Sequence, residues 1–362
     1  PEDDPLPAER DALARRSAAV HPAAPRPPGV ADPAIALAAI RLARRHRVSV
    51  RLARVLEGAG ALATLPPEAA RELRRDVLRA QSARVRLERA LRAVAGALAE
   101  AGVPLLLLKG AAVAALAYDD PAEREMSDVD VLVAPDALGP ALDVLRRAGL
   151  SVPEAETVGF WREVYFNVPV TSAEDQGAKV EIHWSIAQTG RHTPDIEGML
   201  ARSRPVRFGG VDARAPAAAD LFLHQALHLG YHYFQPRLSW LIDIARLASR
   251  EPQPWADLER RARAWGMCTT LRLALAHVER VFPGTLPEDL ARAARGSLRA
   301  RWLPRILRTR DPAALVAGWS VRPVQLLLAA ATLDRPAQAG LAVASWFGRV
   351  VRHGDRAGHR RL

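Results

Sequence analysis

The sequence predicts an α+β chain, a mixed β-sheet core with helices, flanked by N-terminal helices and a C-terminal helical domain. Three observations carry this expectation. Strand-like apolar runs cluster between Val103 and Asp212, apolar residues recur at three and four before them, and a helical pattern punctuated by prolines fills the chain after Pro216.

The elements divide the 362 residues into five stretches, long enough for two or three domains and a substantial core. Residues 1–30 read as a disordered tail, because proline, alanine and scattered charge leave little to bury. Residues 31–102 read as an N-terminal helical region, with one amphipathic helix from Asp32 to Gly60 and a longer one from Pro66 that Gly102 ends. The mixed core occupies 103–215, with strands at Leu105–Leu108, Val129–Val133, Val164–Val170, Ala178–Trp184 and Val206–Asp212. Helices are expected there at Ala111–Tyr118 and Pro135–Ala148. Residues 216–350 form the C-terminal helical domain, with Trp240, Trp255, Trp265, Trp302, Trp319 and Trp346 on core-facing helix sides, and 351–362 form a basic tail. No fixed-period repeat is visible.

Composition narrows the setting. A net charge of +11 favours anionic ligands, among them nucleotides, nucleic acid and acidic membranes, without choosing between them. The sequence lacks the ~18 to 20 consecutive apolar residues of a membrane span and any apolar leader, so neither a membrane nor secretion is expected. The single cysteine, Cys268, excludes an internal disulfide framework and fits a reducing cytoplasm. Because the sequence starts at Pro1, an upstream segment is expected to be missing. Of 51 basic residues only Lys109 and Lys179 are lysine, leaving 49 arginines; with the abundant alanine and proline this suggests a GC-rich bacterial genome. A lysine in such a chain is less expected to be a generic surface cation, although a strand-end lysine in water is the plain alternative.

Chemistry concentrates in two segments. Leu105–Leu108 runs into Lys109-Gly110 and a short Ala-rich helix, whose N-terminus offers a place for phosphate. Arg124, Ser127, Asp128 and Asp130 then precede or open an apolar strand; alternation points Asp128 and Asp130 one way while Val129, Val131 and Val133 point into the core. Two such carboxylates repel unless a cation lies between them, so a divalent metal site is the economical explanation, with a turn-and-cap pair as the alternative. In the second segment, Val180 and Ile182 make an apolar face that leaves Glu181 and His183 on the other, where a buried acid needs a partner. Were this strand beside the first, Glu181 would complete a three-carboxylate cluster able to hold two metal ions; an arginine partner is the structural alternative.

The ordered set Leu-Lys-Gly, Tyr118, Arg124, Ser-Asp-Val-Asp-Val-Leu-Val and Val-Glu-Ile-His-Trp resembles the nucleotidyltransferase superfamily with the DNA polymerase beta-like fold. More closely it resembles the bacterial uncharacterised nucleotidyltransferase family, in which a His-x-x-x-His and Trp-Leu-x-Asp pattern follows, here His224, His228, Trp240, Leu241 and Asp243. The resemblance covers roughly residues 102–250. One departure is that the superfamily's usual Gly-Gly or Gly-Ser turn is Lys109-Gly110, with a long gap to the carboxylates.

The resemblance implies a nucleotidyltransferase-type core and a magnesium-dependent enzyme. It would move an NMP, AMP from ATP being the expectation, to a hydroxyl of a small molecule, peptide or protein and release pyrophosphate. Two Mg2+ ions would be held by Asp128, Asp130 and Glu181, with Glu181 also able to take the acceptor proton. Lys109, Gly110, Arg124 and Ser127 would bind the triphosphate, although a solvated Arg124 is nearly as good a reading. His183, His224, His228 and Asp243 are candidates to line the cleft; His224, His228 and His232 form a stripe on a helix expected over Leu221–Phe234, with plain interhelical hydrogen bonding as the alternative. A non-catalytic nucleotide- or nucleic-acid-binding scaffold is the rival, less favoured because all three carboxylates are present.

Overall fold

Four successive leucines, Leu105 to Leu108, are all buried, and they seed the interior of the larger of two compact units into which the chain divides between Arg79 and Ala80. The computed structural model describes residues 31–188, 191–232, 237–296 and Asp334. The expected tails at 1–30 and 351–362, most of the chain after Gly296, and Trp302, Trp319 and Trp346 lie outside the described residues. Among the described residues there are twelve α-helices and one six-stranded mixed sheet, the α+β class expected.

In the smaller unit the expected single helix from Asp32 to Gly60 is two, α1 (Pro33–His46) and α2 (Ser49–Gly58). Asp32 caps α1 by accepting from Ala34 N at 2.8 Å and Ile35 N at 3.0 Å. Arg47 then turns left-handed at φ 54°, and Val48 N donates to Ala43 O, a Schellman-type stop made without glycine, so no residue type announced it. α3 (Pro67–Glu100) runs on past Arg79 into the larger unit and ends where Gly102 takes φ 68°.

The larger unit holds the sheet, in the order β3-β4-β2-β1-β6-β5. Its strands are β1 (Leu106–Leu107), β2 (Asp128–Leu132), β3 (Asn167–Ser172), β4 (Ala178–His183), β5 (Arg204–Phe208) and β6 (Val211–Ala215). The pairs β2/β4 and β1/β6 are parallel; β1/β2, β3/β4 and β5/β6 are antiparallel. Helix α4 (Lys109–Ala117) leaves β1, and α5 (Leu138–Arg147) follows β2.

Two expected strands need correction. Val206–Asp212 is a hairpin, since Gly209 and Gly210 take φ 59° and 81° and turn the chain between β5 and β6. Val164 closes a helix, α6 (Ala155–Val164), and β3 begins only at Asn167; Val158 and Trp161, three apart, pack on the core and hold the chain helical. Beyond the sheet come α7 (Ile196–Ala201), α8 (Ala218–Tyr231), α9 (Leu238–Arg250), α10 (Trp255–Trp265), α11 (Cys268–Val281) and α12 (Glu288–Arg295). The first of the long helices, α8, is apolar nearly all round and packs on α4, α9, α10 and α11. Trp265 is buried and Trp240 and Trp255 are half-buried against the same core. No helix among the described residues is long and apolar enough to cross a membrane.

Candidate functional site

Strands β2 and β4 lie side by side in register, with Asp128 opposite Lys179, Asp130 opposite Glu181 and Leu132 opposite His183. Because side chains alternate, Val129, Val131, Val180 and Ile182 enter the core from one face, each at most 1 % exposed. The other face gathers Asp128, Asp130, Lys179, Glu181 and His183. Asn167 of β3 joins them opposite His183. Lys109, at the start of α4, completes the group with a left-handed backbone, φ 40°, that a side chain rarely adopts.

The distances describe three acids contacted by both lysines of the chain. Lys109 Nζ lies 2.6 Å from Asp130 Oδ1 and 4.0 Å from Glu181 Oε2. Lys179 Nζ donates to Glu181 Oε1 at 2.5 Å and lies 3.4 Å from Asp128 Oδ2. His183 Nε2 is 2.8 Å from Asp130 Oδ1, and Asn167 Nδ2 donates to Glu181 Oε2 at 2.7 Å. An isolated buried carboxylate would be costly; here each has a cationic partner.

The electrostatics separate the acids. Burial works to raise the Asp130 carboxyl, but the Lys109 charge and the His183 hydrogen bond outweigh it and hold that group well below the usual carboxylate range. Glu181 is also lowered, burial being outweighed by His183 and Lys109. Asp128 goes up, pushed by burial and then by Asp130 and Glu181. Asp128 is thus the acid whose repulsion the lysines leave least relieved, and an added cation would relieve it.

The residues fit a metal ion. Asp130, Glu181 and His183 each offer one ligand atom, and these atoms lie within 4.8 Å of one another. The Lys109 ammonium between two of these acids puts positive charge where a cation would sit. The trio does not coincide with the expected set of Asp128, Asp130 and Glu181: His183 stands in it and Asp128 at its edge.

The other expected site residues fall into separate groups. Ser127 is exposed immediately ahead of β2. Gly110 is buried, and a Cβ there would come within 3.1 Å of Met126 Cγ and Sδ, so the missing side chain seats Met126. Arg124 and Asp243 form a buried ion pair, Nε to Oδ1 and Oδ2 at 2.9 Å and a terminal nitrogen to Oδ2 at 2.8 Å, with Tyr118 donating to Asp243 Oδ1 at 2.8 Å. This fastens the loop between α4 and β2 to α9, and Arg246 adds to it by donating to Ala117 O and stacking over Tyr118 at 4.2 Å. His224 is 1 % exposed on α8, its Nδ1 has no hydrogen-bond partner among the described residues, and its protonation is pushed well down by burial and by the charges of Lys109 and His183. His228 and His232 also pack against Trp240 of α9, each ring 4.7 Å away, the first edge-on and the second tilted. All three rings of the stripe feel the charge of Lys109, and burial pushes the protonation of each down.

Three further residues belong near this group. Lys179 and Asn167 bind Glu181, and only the scarcity of lysine pointed to the first. Arg237, half-buried and stacked over Trp240 at 5.1 Å, feels the Asp128 charge and has no carboxylate partner among the described residues. Its position immediately before the Leu-Ser-Trp run was the available signal.

Comparison with known protein families gives a match. The family model described as "Uncharacterised nucleotidyltransferase" covers residues 35–283, from α1 to just beyond α11. No curated protein and no solved structure matches the chain.

Proposed function

Because the chain belongs to the uncharacterised nucleotidyltransferase family, we propose that it transfers an NMP, AMP from ATP in the specific reading, to a hydroxyl acceptor and releases pyrophosphate. The observation that carries this reading is the in-register pairing of Asp130 with Glu181, with both lysines of the chain gathered on the acids. A structural ion pair needs one lysine and one acid. Three acids and Lys179 on one sheet face, with Lys109 reaching them from the start of α4, form instead a pre-arranged polyelectrolyte site, in which positive groups can be exchanged for others.

In this reading Asp128, Asp130 and Glu181 hold divalent ions, two magnesium ions in the specific form, and His183 lies beside them. Once bound, the ions would supply charge neutralisation of the triphosphate and a lowered pKa for the acceptor hydroxyl. The chain's own residues do the rest. Lys109, were Asp130 to hold a cation in its place, would turn its ammonium to the phosphates at the N-terminus of α4. Arg237, which feels the Asp128 charge and has no carboxylate partner among the described residues, is a further cation available to the phosphates. Glu181, kept ionised, accepts the proton of the acceptor hydroxyl as the new oxygen–phosphorus bond forms and the bond to pyrophosphate breaks. Arg124, committed to Asp243, positions the Ser127–Asp130 segment. The acceptor is a small molecule, peptide or protein, and the reducing cytoplasm is the compartment that a lone Cys268 suits.

The test is incubation with α-labelled ATP, a divalent ion and a cell extract supplying acceptors. Label should pass to an acceptor with release of pyrophosphate, and chelator should abolish both. Nucleotide binding without transfer under any ion would favour a non-catalytic scaffold.

A further inference from the structure

We propose that His183 Nε2 is a direct metal ligand, and that with Asp130 and Glu181 it makes an inner site preferring a first-row transition ion such as Mn2+ over Mg2+. The proposal rests on the reading that this sheet face holds divalent cations. It adds which atoms do so and which ion they choose.

The ring's orientation is the first support. His183 Nδ1 lies 3.3 Å from the Ser185 carbonyl oxygen, to which it can donate, while Nε2 faces Asp130 Oδ1 at 2.8 Å and Glu181 Oε2 at 3.7 Å. One nitrogen on a backbone carbonyl and the other turned to the site is the arrangement of metal-binding histidines; the proton that Nε2 shares with Asp130 in the metal-free protein would be released as an ion takes its place. The ring is fully buried, with Phe166 tilted against it at 5.6 Å. It has little freedom to turn away.

Donor chemistry is the second support. Two carboxylates and one imidazole suit Mn2+, Fe2+ or Zn2+, whereas Mg2+ keeps to oxygen ligands and retains water. Asp128 lies at the edge of the trio with 33 % of its side chain exposed. It leaves an all-oxygen position for an ion arriving with the nucleotide.

The experiment uses the full chain without nucleotide. Mn2+ is titrated by electron paramagnetic resonance, Mg2+ is added in competition, and pulsed spectra of bound Mn2+ are examined for 14N coupling. We expect one site at least ~10-fold tighter for Mn2+ than for Mg2+, with the coupling of one imidazole. In His183→Gln that coupling should vanish and Mn2+ affinity fall by ~10-fold or more, while Mg2+ affinity changes less than ~3-fold. Bound Mn2+ without 14N coupling in the wild type would overturn the proposal whether or not the variant folds, as would no Mn2+ binding or an unchanged preference in His183→Gln. A wild type that transfers nucleotide without nitrogen coupling refutes this inference alone. Nitrogen coupling without transfer under any ion refutes the proposed function and leaves the metal site standing.

Discussion

The Lys109 ammonium sits 2.6 Å from Asp130 Oδ1, joining the left-handed start of α4 to the middle of β2. Its partner is the acid held most firmly in the charged form, so the lysine acts as an internal counter-cation for a buried carboxylate. Lys109→Met should therefore leave Asp130 with His183 alone. Breaking a buried pair from one side costs ~3–5 kcal/mol. The variant should melt well below the wild type in chelator and recover much of the difference with a divalent ion, since an ion that binds only the folded state stabilises it. Thermal melts with and without the ion check this; a loss that no ion restores would mean the lysine is purely structural.

Asp243→Ala should behave differently. It strands the buried Arg124 guanidinium and the Tyr118 hydroxyl together, at a cost of ~3–5 kcal/mol. No divalent ion should restore this, because the lost partner is a cation's anion rather than a cation. Urea unfolding of this variant beside Lys109→Met, each with and without Mg2+ or Mn2+, separates a fastening ion pair from a cation site.

Stability should also fall on mild acidification. Burial lowers His192 and His277 to about 4 from an ordinary 6.5. Between those values the unfolded chain binds protons that the folded chain refuses, so stability is complete above pH ~6.5 and lost as pH falls toward ~4. Each histidine contributes a loss of ~2 kcal/mol on going from pH 7.5 to pH 5. His277→Gln should flatten part of this slope, and denaturant titrations at the two pH values would detect it; an unchanged slope would mean that His277 protonates freely in the fold.

Much of the site was legible in the sequence, because alternation in β2 and β4 is a local property: Val129, Val131, Val180 and Ile182 had to share a core, which put the acids on the other face. That those faces adjoin was a condition the sequence left open and the parallel register of β2 with β4 meets. What stayed hidden depends on distant partners. Arg124 and Asp243 are 119 positions apart, and nothing local distinguishes a buried guanidinium from a phosphate ligand. The ring of His183 was assignable to a face, but its two nitrogens were not assignable to Ser185 and Asp130. Gly209-Gly210 is a recognised two-residue turn signal, but the apolar residues on both sides of it read together as one strand, and the hairpin shows only in the structure. Arg47 ends α1 without glycine or proline, so periodicity alone carried the expected helix through it.

The most direct measurement of the central claim compares wild type with Asp130→Asn in pyrophosphate release from ATP with a divalent ion and acceptor-bearing extract. Asparagine keeps the size of the side chain and removes the charge that Lys109 or a metal ion answers. Release should fall at least ~100-fold, a loss of ~2.7 kcal/mol of transition-state stabilisation, while the folded state persists in thermal melts. Equal release from the two proteins, or none from the wild type with any nucleotide and ion, would contradict the assignment of this sheet face to nucleotidyl transfer.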